Sequence, residues 1–314
     1  MRPVALLTRQ WPQEAHKALS EHCETRFLMP ATDLSAEFFR AFNKDVNILC
    51  TSFLDRVDPE LIRSLSGLKL IAHFGRWPVS SVSPSTVSSS GLIASDTGDA
   101  AAEEIADYAL TQLLAVTRRM TQPLHTSEAQ RTLDQELGFS LRGRTVGFLG
   151  FDASALELVK RLAALGIDSI YSAVKPDPDA DAANLKYFDS PSTVLDIADA
   201  VSLHHGTYRL DQNLLGHCRP DSVILNLTDP DLIDEPALAQ ALKDRRIAGA
   251  GLDVWRDTLL LQNCPNTLLT PRLATNTLRA RLEMAYRVVE NIKIFLSTGD
   301  VIDRVDLTGN THAE

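Results

Sequence analysis

Cysteine is scarce in this sequence. Only Cys23, Cys50, Cys218 and Cys264 occur among 314 residues, and no two form a C-x-x-C pair. That excludes a dense disulfide framework and a zinc knuckle, and reduced, buried thiols are the expectation. Positive charge is also in deficit: 31 Lys and Arg stand against 41 Asp and Glu, a formal net charge of −10 with a pI of about 5.3. Nucleic-acid phosphates and anionic membrane surfaces are repelled on average, so neither is an expected partner. No apolar run approaches the roughly 18 residues of a membrane span. The N-terminal MRPVALLTRQ has too short an apolar stretch for a signal-peptide core, and a cytoplasmic protein is expected. Aromatics make up 6%, yet hydrophobic residues in all reach 44%. A chain of this length and composition can bury the cores of about two domains.

Short apolar runs alternate with helical patterns. Val4 to Leu7 precedes a helical stretch from Gln13 to His22; Val46 to Cys50 precedes Pro59 to Ser66; Leu70 to Phe74 and Gly91 to Ser95 follow. Such alternation predicts βαβ units and a parallel sheet. Ala100 to Arg119 reads as one long helix, with Ile105, Ala109, Leu113 and Val116 on one face, Glu103 and Glu104 near its positive end, and Asp99 as a candidate N-cap. The serine-rich Ser80 to Ser90 reads as a surface loop or weak helix.

A second series starts after the polar stretch Thr121 to Gly143. Thr145 to Phe151, Ser169 to Val174, Ala200 to Leu203, Ser222 to Asn226, Ile247 to Leu252 and Thr267 to Leu269 read as strands. Ala153 to Leu165 and Glu235 to Lys243 read as helices, and a tail helix from Leu278 to Leu296 carries Leu282, Ala285, Val289, Ile292 and Phe295 along one face. The fold class is therefore α/β with two doubly wound domains. The first covers residues 1–95 with 281–314 returning to it, and the second covers 96–280.

Five blocks in order, LRGRTVGFLGF (141–151), DAVSLH (199–204), ILN with LIDEPALAQAL (224–226, 232–242), RIAGAGLDVW (246–255) and PNTLLTP (265–271), give the chain its resemblance to the D-isomer-specific 2-hydroxyacid dehydrogenases. The resemblance spans nearly the whole chain. It implies a flavodoxin-like substrate domain, a Rossmann domain for NAD or NADP, no metal, and a homodimer formed through the region of the long helix, Ala100 to Met120.

A dinucleotide fingerprint needs glycines where the turn is tight and the diphosphate approaches the helix start. Here Gly150 keeps the first position and Ala155 stands for the third, but Asp152 replaces the middle glycine. Its bulk and charge both oppose the usual pose of NAD or NADP, leaving a loosened pose as the alternative. The acid expected near the second strand end is missing from Ser172-Ala173-Val174-Lys175. Lys175 there either faces a 2′-phosphate, favouring NADP, or is simply a solvated loop lysine.

The resemblance also implies an arginine that holds the substrate, a histidine that acts as acid and base, and a glutamate that tunes it. At these three positions stand Asp229, Arg272 and Thr258, with Asp257 one step before the last. An arginine stays protonated and cannot replace a histidine in proton transfer. The exchange of charge suggests that Asp229 and Arg272 pair across the cleft, or that Arg272 takes over anion binding; drift to soluble residues explains it equally well. His204 matches a histidine that lies near the cofactor in the family, and adjacent His204 and His205 point to opposite faces of a strand and cannot chelate one metal. Gly75, Arg76 and Trp77 match a loop that grips the substrate carboxylate; Arg76 either strengthens an anion site or stacks on Trp77. Asn226 and Asp253 match residues that shape the cleft.

The expectation from these changes is a pseudoenzyme, a dehydrogenase homologue that has lost hydride transfer and binds a small anionic molecule or a protein partner. Two alternatives stand beside it. One is new non-redox chemistry on an anionic substrate, with Arg272 as anchor and Asp229 or Asp257 as acid or base. The other is an atypical NAD(P)-dependent oxidoreductase acting on a 2-oxo or 2-hydroxy acid.

Overall fold

The computed structural model describes residues 2–28, 45–53, 55, 57, 59–76, 87, 89–121, 137–204 and 208–305. These fall into two compact units, one made of the residues up to Ala101 together with those from Thr277 onward, the other of Ala102–Asn276.

In the first unit, β1 (Val4–Leu7), β2 (Glu24–Phe27), β3 (Val46–Ser52), β4 (Leu70–Phe74) and β5 (Ile93–Ser95) form one sheet in the order β2-β1-β3-β4-β5. All neighbours run parallel, and the order is the flavodoxin type. The apolar run of β4 is buried along its whole length, as a strand covered on both faces must be. Helix Leu278–Thr298 returns to this unit and lies against helix Gln13–Ser20 and β4. Its buried stripe is Ala280, Met284, Ala285, Val288, Val289, Asn291 and Ile292. Leu282 and Phe295, expected on that face, are only half-buried. Most of Ser80 to Ser90 lies outside the described residues, but Val87 is fully buried in the unit's core.

The second unit carries a seven-stranded parallel sheet: β6 (Thr145–Leu149), β7 (Asp168–Ser172), β8 (Lys186–Tyr187), β9 (Ala200–Leu203), β10 (Val223–Asn226), β11 (Gly249–Leu252) and β12 (Thr267–Leu269). Their order is β12-β11-β10-β9-β6-β7-β8, a Rossmann arrangement extended by one strand, and the strand order reverses between β6 and β9. Helices Ala102–Thr117 and Ala153–Ala164 pack on one face around Leu113, Phe148 and Leu158. Pro191–Ile197 and Glu235–Lys243 cover the other around Val194, Leu203 and Leu238.

The surplus of acid has a local use here. Asp152, Asp177, Asp211, Asp229, Asp234 and Asp257 each precede a helical segment and accept a backbone N–H from its first turn. A carboxylate at that place satisfies an orphan donor and meets the positive end of the helix dipole. The few aromatics are also concentrated. Phe148, Phe151, Tyr171 and Tyr187 form a ladder with successive ring centroids 6.1, 5.2 and 5.3 Å apart, which backs the turn after β6.

Candidate active site

Ligands of open parallel sheets bind beyond the carboxyl ends of the strands, at the reversal of strand order. In the second unit that edge gathers Asp152 after β6, His204 after β9, Asp229 after β10, Asp253 after β11 and Arg272 after β12.

The turn after β6 keeps the shape of a fingerprint. Gly150 has φ +79°, a left-handed conformation that a side chain would strain, and its N–H donates to Ser172 O at 2.9 Å. Asp152 is the N-cap of helix Ala153–Ala164: its Oδ1 accepts the N–H of Ala155 at 3.0 Å and the hydroxyl of Ser154 at 2.6 Å. His204, 3% exposed, places Nδ1 at 3.1 Å from both Asp152 Oδ1 and Ser154 Oγ, and Nε2 at 2.9 Å from Ser202 Oγ. An ionised carboxylate only accepts, so Nδ1 carries the proton. The partners Ser154 and Ser202 are not among the residues singled out from sequence. A signal for Ser202 was available, because residues i and i+2 of a strand share a face. His205 lies outside the described residues.

This arrangement bears on the nicotinamide cofactor that a Rossmann unit implies. A diphosphate normally takes the free amides at the helix start. In this protein Asp152 fills that place with a held carboxylate, so the turn does not fit a diphosphate in the conformation seen. At the end of β7 no carboxylate lies in 172–175; the side chain of Asp177 caps helix Pro178–Ala182 through the N–H groups of Asp179 and Ala180. Lys175 is exposed.

The loops after β10, β11 and β12 are built on buried polar groups. Asn226 Nδ2 donates to Asp229 O at 2.7 Å, and its Oδ1 accepts from Thr228 N at 3.2 Å. Asp253, 2% exposed, accepts the hydroxyl of Thr270 at 2.6 Å and the N–H groups of Leu273 and Ala274 at 2.8 and 2.9 Å. Gln112, fully buried in the long helix, donates from Nε2 to Thr270 Oγ1 at 2.8 Å. That chain of bonds fixes the loop carrying Arg272, whose φ of +55° is unusual for a residue with a side chain.

Arg272 is half-buried. Burial lowers the pKa of its guanidinium from the ordinary value, the carboxylates of Asp229 and Asp253 oppose that shift, and Arg256 adds to it. Asp229 and Arg272 are thus brought within electrostatic reach of each other. The arrangement supplies a half-buried cation at a strand end.

Several of these residues also serve the backbone or a neighbouring side chain. Asp229 caps the turn Pro230–Leu232 through the N–H of Asp231 at 2.9 Å. Asp257 caps helix Thr258–Leu261 through Leu260 N–H at 3.0 Å. Both carboxylates therefore hold backbone through Oδ1, a structural role beside the acid or base chemistry expected of them. Thr258 accepts a hydrogen bond from Trp255 Nε1 at 2.7 Å. In the first unit Gly75, with φ +111°, follows β4, and exposed Arg76 donates to Asp99 Oδ1 at 2.7 Å. Asp99 is then engaged by Arg76 rather than capping the long helix. Trp77 lies outside the described residues.

A fold of two parallel-sheet units, one of them Rossmann-like with its polar residues at the switch point, defines the class of two-domain dehydrogenases. Residues 110–274 match the model of the D-isomer specific 2-hydroxyacid dehydrogenase NAD binding domain. The chain belongs to that family. It is 27% identical over 312 residues to the glyoxylate reductase of Thermococcus kodakarensis, covering 94% of this chain and 93% of the relative. The NADPH-dependent glyoxylate/hydroxypyruvate reductase of Sinorhizobium meliloti, solved with NADP and malonate, is 27% identical with a TM-score of 0.84 and all of both chains covered. A glyoxylate reductase from Paecilomyes thermophila is 25% identical with a TM-score of 0.86, covering 96% of this chain and 98% of the other.

These relatives overturn the expectation of a pseudoenzyme. Likeness along nearly the full length to proteins named glyoxylate reductases, in sequence and in structure, speaks against a loss of function. The doubt about a nicotinamide cofactor loses its support as well, since more than half of the chain matches an NAD-binding domain. No helix of the described residues is long and apolar enough to cross a membrane.

Proposed function

We propose that the protein is an atypical NAD(P)-dependent reductase that converts a small 2-oxo acid to the 2-hydroxy acid. The observation that carries this reading is the likeness to glyoxylate reductases over 94% of the chain, joined to a half-buried cation at the end of β12. Arg272 is the substrate anchor: its planar fork of N–H donors suits a carboxylate, and partial burial strengthens the contact. Reduction of the 2-oxo carbonyl takes up a proton as well as a hydride. Arg272 cannot give one, so that proton comes from water. Turnover then lacks the inflection near pH 6.5 that a histidine acid would impose.

NADPH is the favoured cofactor in this reading. The end of β7 lacks a carboxylate to accept ribose hydroxyls, and Lys175 offers a cation for a 2′-phosphate. The test is to assay NADPH and NADH oxidation with glyoxylate and hydroxypyruvate. Turnover with NADPH at least tenfold above NADH, reversed in Lys175→Glu, is expected; no oxidation of either cofactor with any small 2-oxo acid would reject the reading. We further propose a homodimer. The long helix and its surroundings expose Leu114 and Met120 (41% and 75%), apolar surface that a second copy would cover, and a monomer mass in light scattering would refute it.

A further inference from the structure

The carboxylate at the start of helix Ala153–Ala164 is fixed from several sides. It takes the Ala155 N–H and the Ser154 hydroxyl, and lies 3.1 Å from the ring nitrogen of a buried histidine that Ser202 fixes from behind. A side chain that merely tolerated the site would not need a buried imidazole and two hydroxyls around it. The group it resembles in charge and in donors is a phosphate: an anion at a helix N-terminus, met by backbone N–H, hydroxyl and imidazole N–H.

We propose that Asp152 is a built-in competitor for the diphosphate of the dinucleotide. Its carboxylate satisfies the same donors, and Ser154 and His204 hold it there. The inference rests on the reading of the protein as a nicotinamide-dependent reductase. A dinucleotide enters only when the Asp152 side chain swings off the helix start, or when it binds with its diphosphate displaced from the turn. In both cases the negative charge at 152 sets affinity, and it acts on the diphosphate rather than on the nicotinamide.

Calorimetric titration of the full chain with NADPH, NADH, nicotinamide mononucleotide and inorganic pyrophosphate tests this in the wild type, Asp152→Asn and Asp152→Gly. Asparagine keeps the volume and the capping acceptor, so it guards against loss of fold, which thermal melting checks. The expected result is dinucleotide binding at least tenfold tighter in both variants, measurable pyrophosphate binding only in the variants, and no change for the mononucleotide. Equal dinucleotide affinity in all three proteins would overturn the competitor and leave the reductase reading standing. Absence of dinucleotide binding in all three would overturn both.

Discussion

At the scale of single residues, the aspartates at 152, 229 and 257 illustrate how one residue type supports two opposite readings. Asp152 and Asp229 stand where a family resemblance places cofactor or catalytic chemistry, Asp257 one step before such a position, and each proves to cap a helical segment. An aspartate before a helix is a cap on physical grounds alone, so the capping role was open to sequence reasoning and was displaced by the motif. The network around Asp253 was not open to it, because Gln112 and Thr270 are 158 residues apart in the chain. Removing Asp253 strands the Thr270 hydroxyl, the buried N–H of Ala274 and the part-buried N–H of Leu273. Asp253→Ala is expected to lower the unfolding free energy by about 2–4 kcal/mol in denaturant titration. Arg272→Ala should instead leave stability nearly unchanged and raise KM for the 2-oxo acid roughly ten- to hundredfold, the worth of a charge-assisted hydrogen bond. Arg272→Lys, which keeps the charge and loses the fork, should fall between them. An unaltered KM in both variants would remove Arg272 from the substrate site.

At the scale of elements, strands and helices with strong apolar runs were legible to within a few residues. Helix Glu235–Lys243 and strands β1, β4, β9 and β12 match their sequence patterns end to end. Strand β2 escaped because ETRF lies at a sheet edge with Glu24 and Phe27 exposed, so nothing selects an apolar pattern there. Helix ends show a finer contrast. Helix Ala153–Ala164 closes through Gly166 at φ +69°, with Ile167 N–H donating back to Leu162 O at 3.1 Å. Helix Glu235–Lys243 closes by the same pair of backbone bonds, Arg245 to Leu242 at 3.1 Å and Arg246 to Ala241 at 2.8 Å, but with Arg245 at φ +54°. A left-handed residue with a side chain costs about 1 kcal/mol there. Arg245→Gly is therefore expected to stabilise the protein by roughly 0.5–1 kcal/mol, seen as a higher Tm. A fall in Tm would mean that the arginine side chain contributes more than its backbone strain.

At the scale of the whole molecule, the four scarce cysteines return as buried, free thiols. Desolvation is the main cause that pushes Cys23 up to about 11 and Cys218 up to about 12, and it raises Cys50 and Cys264 as well. A thiol protonated in the folded chain but ionised near pH 8.5 in the unfolded one favours unfolding in alkali. The stability linked to these groups is fully present below about pH 8.5 and is lost as pH rises toward the folded values. Unfolding free energy should decline between about pH 9 and 11, less steeply in Cys23→Ala, and a thiol reagent should label the native protein only after denaturant is added. Rapid labelling of all four thiols in the native state would contradict their burial. Composition, the alternation of apolar runs with helical periods, and the order of the five sequence blocks determined by themselves that this is a two-unit parallel α/β protein of the dehydrogenase class, because those signals are local and repeat along the chain. Only the tertiary structure decided that Asp152 is held by Ser154 and His204 and that Gln112 reaches the loop of Arg272. Those relations depend on which strand ends the topology brings together, and no single stretch of sequence contains them.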